Sequence, residues 1–108
     1  MKISGELMKG STQTLVLSVI ASEDMYGYKI VKELEARSEN VFSLKEGTLY
    51  PVLHSLEQNG YVQSYWVEVD NKKRKYYHIT RKGRNALKQK KEEWKEYSAA
   101  VGKVLSFA

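Results

Sequence analysis

Residues 45–60, Lys-Glu-Gly-Thr-Leu-Tyr-Pro-Val-Leu-His-Ser-Leu-Glu-Gln-Asn-Gly, carry the pattern that organises the rest of the chain. Their apolar residues recur at steps of three and four and so form one stripe on a helix: Leu49, Val52, Leu53 and Leu56. The opposite face carries hydroxyl, phenol, imidazole and amide groups, whereas a surface helix normally carries Lys and Glu. This favours a helix face that contacts a partner, although an ordinary core helix with a polar back stays open.

A glycine and a proline indicate where this central helix begins and ends. Gly60 suits the position just after a helix. Pro51 has no backbone N–H and is tolerated only near a helix start, which predicts Thr48, or a residue just before it, as the N-cap. Ser43 with Glu46 forms a rival capping box, but it would place Pro51 two turns into the helix.

The charge of the chain is concentrated in one band. The 108 residues carry a net charge of +5, but residues 71–91 contain ten Lys and Arg and no acid. The remainder, with eight bases and thirteen acids, is therefore net −5. Such a band on an otherwise acidic chain suggests a polyanionic partner, and the alternative is a well-solvated hairpin and helix start.

Composition excludes several classes of protein. An apolar content of 42% in 108 residues fits one modest core. No cysteine is present, which excludes disulfides and thiolate metal sites. We also expect no cofactor. Nothing resembles a signal peptide and no apolar run approaches the roughly 20 residues of a membrane span, so we expect a cytoplasmic protein without membrane attachment.

An enzyme is not expected from this sequence. His54 and His78 fall on different elements, with no carboxylate at a ligand or relay spacing. A glycine-rich phosphate loop and a His-x-x-x-His pair are both absent from the sequence.

Two further helices are predicted before the central one. A cap at Ser11 or Thr12 starts a helix that runs to about Ser22, and Tyr26–Ser38 forms the second. Residues 1–10 have weak periodicity, and we expect them to form a mobile or partner-dependent arm.

After the central helix the periodicity changes. Tyr61–Val69 is rich in aromatic and β-branched residues and predicts a strand, and Arg74–Ile79 predicts a second one. The two would pair as a hairpin whose tip is Asp70–Lys73. Thr80 then caps a long final helix that ends near Ser106.

The predicted order of elements defines a fold class. Three short helices, a hairpin and a terminal helix make a mainly α winged helix-turn-helix with a small β-hairpin. In this architecture the third helix enters the major groove of DNA and the hairpin contacts the flanking backbone. We assign residues 1–79 to a DNA-binding domain with its arm and residues 80–108 to a C-terminal dimerisation helix.

The candidate DNA-binding residues lie on three elements. The central helix would contact base edges and methyl groups through its N-terminal half. The hairpin cations would neutralise phosphates without reading sequence. The start of the second helix would contact a phosphate where the helix dipole helps. The full set is Tyr28, Lys45, Thr48, Tyr50, Pro51, His54, Lys72, Lys73, Arg74 and Lys75.

Several runs of residues resemble the PadR-like transcriptional regulators. They are Tyr26-Gly-Tyr-Lys-Ile30, Glu46-Gly-Thr-Leu-Tyr-Pro51, Leu56-Glu57 with Gly60, and Arg74-Lys-Tyr-Tyr-His-Ile-Thr80 with Gly83. The resemblance covers about residues 11–87, and the short final helix is similar to that of the compact subgroup. The hairpin tip departs from the family, since many relatives carry glycines before their arginines where this chain has Asp70-Asn-Lys-Lys-Arg74.

The final helix carries a second candidate site. A three–four spacing predicts a dimer interface of Leu87, Trp94, Val101 and Leu105, with Lys90, Tyr97 and Val104 interleaved between them. The resemblance implies that Trp94 matches a position where some compact PadR-like regulators bind flat aromatic molecules between paired tryptophans. Tyr97 and Ser98 would line that site, and the alternative is that Trp94 only packs.

The sequence thus predicts a homodimeric repressor that binds an inverted repeat in double-stranded DNA and is relieved by a small aromatic effector. Two other classes stay open. One is a winged helix used for protein contacts, and the other is a basic protein that binds nucleic acid without sequence preference.

Overall fold

A computed structural model describes residues 10–106 of the chain, so the predicted arm lies almost wholly outside the described residues. The elements are α1 Thr12–Ser22, β1 Met25–Tyr26, α2 Gly27–Arg37, α3 Glu46–Gln58, β2 Val62–Val69, β3 Lys72–Ile79 and α4 Arg81–Leu105. The strands form one antiparallel sheet in the order β1-β3-β2. This is the winged helix-turn-helix that the sequence predicts.

The sheet has one strand more than the predicted hairpin. Met25 pairs with Tyr77 and Tyr26 with Tyr76, so the end of the α1–α2 connection forms β1. The sequence-based start of the second helix at Tyr26 is therefore one residue early, because Tyr26 is extended and α2 begins at Gly27. A two-residue strand is too short to show alternation, and only its pairing with β3 defines it.

The hairpin turn is tighter than the predicted tip. β2 and β3 are joined by Asp70 and Asn71 alone, and both have positive φ, +50° and +63°. Two consecutive residues in this region form a type I′ turn, which suits the twist of a two-residue hairpin and favours Asp and Asn. Lys72 and Lys73 therefore belong to β3 and extend the wing, the part of the β2–β3 hairpin that projects beyond the core.

The core is made by residues from every helix and strand. Its largest fully buried side chains are Ile20, Met25, Ile30, Leu49, Leu53, Leu56 and Ile79. The apolar stripe predicted for α3 is confirmed, since Leu49, Leu53 and Leu56 are completely buried and Val52 packs against the core. This burial fixes which face of α3 remains accessible.

Helix α3 begins earlier than Pro51 suggested. Lys45 is the N-cap residue, and its carbonyl accepts from the amides of Thr48 and Leu49 at 3.0 and 2.9 Å. The prediction of Thr48 as the N-cap is therefore wrong, and Pro51 lies in the second turn of the helix. Three buried leucines anchor the helix and offset the hydrogen bond that proline cannot donate.

The start of the last helix packs in the core, and the rest of the helix is exposed. Thr80 Oγ1 accepts from the Gly83 amide at 3.0 Å, which confirms the predicted cap. Gly83 and Leu87 are its only buried residues within the described chain. Leu87 is 5% exposed and belongs to the core, so it does not lie on the apolar seam to which the sequence assigned it. The free seam begins after it and carries Trp94, Tyr97, Val101, Val104 and Leu105.

Candidate nucleic-acid interface

The accessible face of α3 carries the predicted base-contacting residues. Thr48, Tyr50, Pro51 and His54 are all exposed, as is Lys45 at the start of the helix. The first four of these residues carry no formal charge and present a hydroxyl, a phenol, a ring and an imidazole, whereas Lys45 and the exposed Glu46 place one charge of each sign at the start of the helix. Such groups match the donors, acceptors and thymine methyl group of a major groove.

Polar contacts made by two of its residues hold α3 on neighbouring elements. Gln13 of α1 donates from Nε2 to Ser55 Oγ at 3.1 Å. Two residues further along the helix, Glu57 accepts from the Ser64 hydroxyl and lies 4.0 Å from Lys75 Nζ. Glu57 therefore ties the C-terminal end of α3 to both strands of the wing, a link that sequence spacing did not indicate.

Tyr50 does not project freely from α3. Its hydroxyl and ring lie directly over Gly27, the first residue of α2, and leave Tyr50 48% exposed. Tyr28 follows on α2 and is 53% exposed, with Lys32 Nζ 5.4 Å from the centre of its ring. The start of α2 and the N-terminal half of α3 thus form one continuous surface.

The four predicted phosphate-binding cations lie on two faces of the wing. Lys73 and Lys75 alternate with Lys72 and Arg74 along β3, so each pair faces a different side. Arg74 lies 4.5 Å above the ring of Tyr26. Lys75 lies near Glu57 and above the ring of Tyr77 at 5.8 Å. The structure does not bring the four cations together on a single face.

The two lysines next to the turn are the accessible cations of the wing. Lys72 and Lys73 are exposed, and their ammonium groups make no hydrogen bond or ion pair with any residue between 10 and 106. A lysine at a hairpin tip is free to extend toward phosphates.

The basic residues of α4 are partly used inside the fold. Arg84 donates to the Ala21 carbonyl at the end of α1 at 3.5 Å, and Lys82 lies 5.4 Å from the centre of the Tyr61 ring. Lys90 pairs with Glu93 at 3.5 Å. The cationic band of the sequence is therefore not one uniform surface for a polyanion.

The outer face of the sheet carries an aromatic row. Tyr76 lies between Tyr26 and Tyr65, with ring centres 5.5 and 5.9 Å apart respectively. Trp66 on β2 is not part of the core packing and is 65% exposed. Tyr77, on the opposite face of the sheet, packs in the core and is 4% exposed.

Asp24 connects the α1–β1 connection to both long strands. It accepts from the Tyr65 hydroxyl at 2.5 Å, and its other oxygen lies 2.8 Å from His78 Nδ1. Burial alone would raise the pKa of Asp24, but the hydrogen bonds from Tyr65 and His78 outweigh it and lower the pKa. The same bond to Asp24 raises the pKa of Tyr65 to about 12. Sequence spacing does not indicate this carboxylate, because Asp24 is 54 residues from His78.

The residues predicted to line an effector site lie together on distal α4, which we define as residues 88–105. Trp94 is 57% and Tyr97 63% exposed, and their ring centres are 5.9 Å apart. Ser98 donates to the Lys95 carbonyl at 3.2 Å, so its hydroxyl proton is used within the helix. In one chain these rings form an open surface.

Two kinds of site are not found in the described part of the chain. Residues 10–106 contain no cluster of three His, Asp or Glu that could hold a metal ion. None of their helices is long and apolar enough to span a membrane.

The fold and this surface define a winged-helix transcriptional regulator, and comparisons with known proteins identify the family. Residues 16–89 match the transcriptional regulator PadR-like family. The chain belongs to that family.

Solved structures and a curated relative agree with this assignment. A transcriptional regulator from Clostridium thermocellum superposes with a TM-score of 0.85 at 38% identity, over 94% of this chain and 96% of that one. A PadR family regulator from Eggerthella lenta gives 0.83 at 36% identity, over 93% and 86% of the two chains. A transcriptional regulator of Mycobacterium tuberculosis is 30% identical over 89% of this chain and 87% of its own length.

Proposed function

We propose that this regulator binds double-stranded DNA as a homodimer and represses transcription from an inverted-repeat operator. The observation that carries the proposal is the accessible, nearly uncharged face of α3 beside a wing with free lysines at its tip. A face of this kind suits base edges, and lysines at a tip suit phosphates. Because the proposed target is DNA, we also propose that the protein is cytoplasmic.

In this proposal the residues have two roles. Thr48, Tyr50, Pro51 and His54 contact base edges and methyl groups, and they decide sequence preference. Tyr28, Lys45 and the wing cations contact phosphates and fix the position of α3 in the groove. Among the wing cations, Lys72 and Lys73 contribute most, because Arg74 and Lys75 also have partners within the fold.

The apolar seam of distal α4 supports a dimer. Trp94, Tyr97, Val101, Val104 and Leu105 follow one side of the helix and are 36–71% exposed in one chain. A continuous apolar stripe of this kind commonly marks a protein–protein contact. We retain residues 80–108 as the dimerisation segment, with the correction that its contact surface begins after Leu87.

Selection of bound duplexes from a random pool tests the proposal. We expect an inverted repeat whose half-sites lie about one helical turn apart, since two copies of α3 would enter successive major grooves. A bound pool without sequence enrichment would favour a non-specific nucleic-acid-binding protein. Failure to bind any duplex would favour a winged helix used for protein contacts.

Single substitutions then separate the two roles. Tyr50→Ala and His54→Ala should lower the ratio of operator to random-duplex affinity, by about tenfold for a lost base contact. Lys73→Ala should weaken both affinities alike and reduce the salt slope by roughly one unit. The assignment of roles is reversed if Lys73→Ala abolishes discrimination while Tyr50→Ala preserves it.

We further propose that a flat, mainly apolar compound, neutral or cationic, binds between the Trp94 side chains of two chains and relieves repression. The support is the exposed indole beside Tyr97, with Glu93 and Glu96 on the neighbouring surface. Stacking on an indole contributes about 0.5–1.5 kcal/mol beyond area burial, and a cation adds on the order of 0.5–2 kcal/mol. Binding there would change the angle between the paired helices, and so the spacing of the two α3 helices, to the extent that the ligand prefers one arrangement.

Intrinsic fluorescence against a panel of planar aromatic compounds tests the effector site. Trp66 is the matched control, because it is also exposed but lies on the wing. Trp66→Phe should retain ligand quenching and Trp94→Ala should lose it. Quenching that survives Trp94→Ala would leave Trp94 as a packing residue only.

A further inference from the structure

Gly27 lies where the sheet, α2 and α3 meet. It is the first residue of α2 and follows directly on β1, whose two residues pair with Tyr77 and Tyr76. This pairing fixes the position of Gly27 relative to the sheet. Although Gly27 is at the edge of the fold, it is buried, and the side chain of Tyr50 covers it.

The backbone does not require glycine at this position. Among the described glycines only Gly60 has a positive φ, so Gly27 has a conformation open to any L residue. What glycine provides at this position is space. A Cβ on residue 27 would lie 3.0 Å from the Tyr50 hydroxyl oxygen and 3.3 Å from the ring carbon that bears it. Both contacts are closer than a side-chain carbon normally accepts.

We propose that Gly27 is a positioning residue for DNA reading: its missing side chain lets the hydroxyl end of the Tyr50 ring lie against the start of α2. The inference rests on the proposed role of Tyr50 as a base-contacting residue. With one edge against Gly27, the phenol presents its exposed half along the surface shared by α2 and α3. A side chain at 27 would displace the phenol by a few tenths of an ångström or turn it to another rotamer.

The neighbouring sheet limits where a displaced Tyr50 could go. Gly27 follows directly on β1, which pairs with β3, so the start of α2 cannot move away from the Tyr50 ring without disturbing the sheet. Leu49 and Leu53 next to it on α3 are fully buried and keep the helix itself in place. Displacement would therefore move the side chain of Tyr50 outward, toward the DNA, rather than moving α3.

A double-mutant cycle on the full-length chain tests this inference. Gly27→Ala, Tyr50→Ala and the double variant are compared with the wild type by their affinities for a selected operator and for a random duplex. We expect Tyr50→Ala to lower the operator preference about tenfold, and Gly27→Ala to lower it at least threefold. In the Tyr50→Ala background, Gly27→Ala should cause no further loss, because the side chain it displaces is gone.

Thermal unfolding separates positioning from a general defect. Alanine favours a helix over glycine, so Gly27→Ala should unfold at or above the wild-type temperature while it loses discrimination. Gly47→Ala is the matched control for this rise in unfolding temperature, because a Cβ at residue 47 meets nothing within 4 Å. A Gly27→Ala protein that loses discrimination only because it is unstable would overturn the inference.

The remaining outcomes are distinguishable. If Tyr50→Ala lowers discrimination but Gly27→Ala does not, the inference is overturned and the proposed function stands. If Gly27→Ala lowers the operator preference by the same factor with Tyr50 and with Ala at position 50, Gly27 acts through something other than Tyr50. The inference is then again overturned. If Tyr50→Ala preserves discrimination, the proposed reading role of Tyr50 fails, and the positioning role fails with it.

Discussion

The two parts of α4, its first two turns and its distal part, lie in different environments. Its first two turns place Gly83 and Leu87 inside the core, whereas distal α4 has no buried residue, although it carries Trp94, Val101 and Leu105. The first two turns therefore pack against the core of their own chain. The distal half presents apolar side chains to solvent, and soluble proteins rarely leave such a stripe uncovered.

Two sources of stability therefore differ in this protein: the core of a single chain and the association of two chains. The winged-helix unit has a complete core between Val16 and Leu87 and needs no partner to bury it. The distal helix gains stability only if a second surface covers its seam. Changes in the first region should act at any protein concentration, and changes in the second only through association.

Truncation after Lys91 should have the largest effect. It removes the whole seam and leaves every described core residue in place, so we expect a folded monomer or, if α4 frays, an aggregate. Loss of a paired half-site should weaken operator binding by about 10²–10⁴-fold. Light scattering and circular dichroism measure the assembly and the fold separately.

A variant of unchanged length controls for the possibility that the truncated chain loses its dimer only because it unfolds. Val101→Asp combined with Leu105→Asp places charge on the seam without shortening the chain. A dimer that persists in this variant would show that the seam is not the interface.

Two leucines provide the next comparison. Leu53 is fully buried and Leu105 is 68% exposed. Leu53→Ala should lower the free energy of unfolding by about 2–5 kcal/mol at every protein concentration. Leu105→Ala should have little effect on a dilute monomer and destabilise the protein only where it is dimeric. Urea unfolding at two concentrations a hundredfold apart measures both, and a concentration-independent loss for Leu105→Ala would contradict the comparison.

Two glycines provide a smaller version of the same contrast. A Cβ on Gly83 would lie 2.1 Å from the Tyr61 carbonyl oxygen, whereas one on Gly102 meets nothing within 4 Å in a single chain. Overpacking against backbone costs about 1–3 kcal/mol or more, so Gly83→Ala should destabilise strongly. Gly102→Ala should stabilise the helix by up to about 1 kcal/mol. Thermal unfolding of both variants checks this, and equal effects would refute the assigned packing of Gly83.

The smallest expected effect concerns alkaline pH. The pKa of Tyr65 is about 12 in the folded chain and 10.0 unperturbed, so its bond to Asp24 stabilises the fold below pH 10. As pH rises from 10 to 12 the unfolded chain loses the Tyr65 proton before the folded one, and this contribution disappears. Tyr65→Phe should therefore be less stable than wild type near neutrality and equal to it above pH 12, as measured by urea unfolding. A stability difference that does not change with pH would refute the hydrogen bond.

The sequence predicted the parts of the fold that show periodicity. The buried leucines of α3, the cap at Thr80 and both long strands follow from local patterns and are confirmed. The start of α3 was missed because tertiary anchoring by Leu49 and Leu53 overrides the local cost of Pro51. Strand β1 was missed because its two residues are extended only by pairing with β3.

The candidate site was predictable as a surface and not as a set of contacts. Periodicity gave the exposed face of α3, but nothing in the spacing indicated that Glu57 bonds Ser64 or that Tyr50 lies on Gly27. The seam assignment of Leu87 fails for a related reason. A heptad-like pattern does not show where a helix leaves its own core.

Sedimentation of the full chain, alone and with a selected duplex, tests the central claim most directly. We expect a particle of twice the 12.5 kDa chain mass at micromolar concentration. With the duplex we expect a complex of two chains per inverted repeat. A stable 12.5 kDa monomer, with only one chain bound to each duplex, would contradict the claim of a DNA-binding dimer.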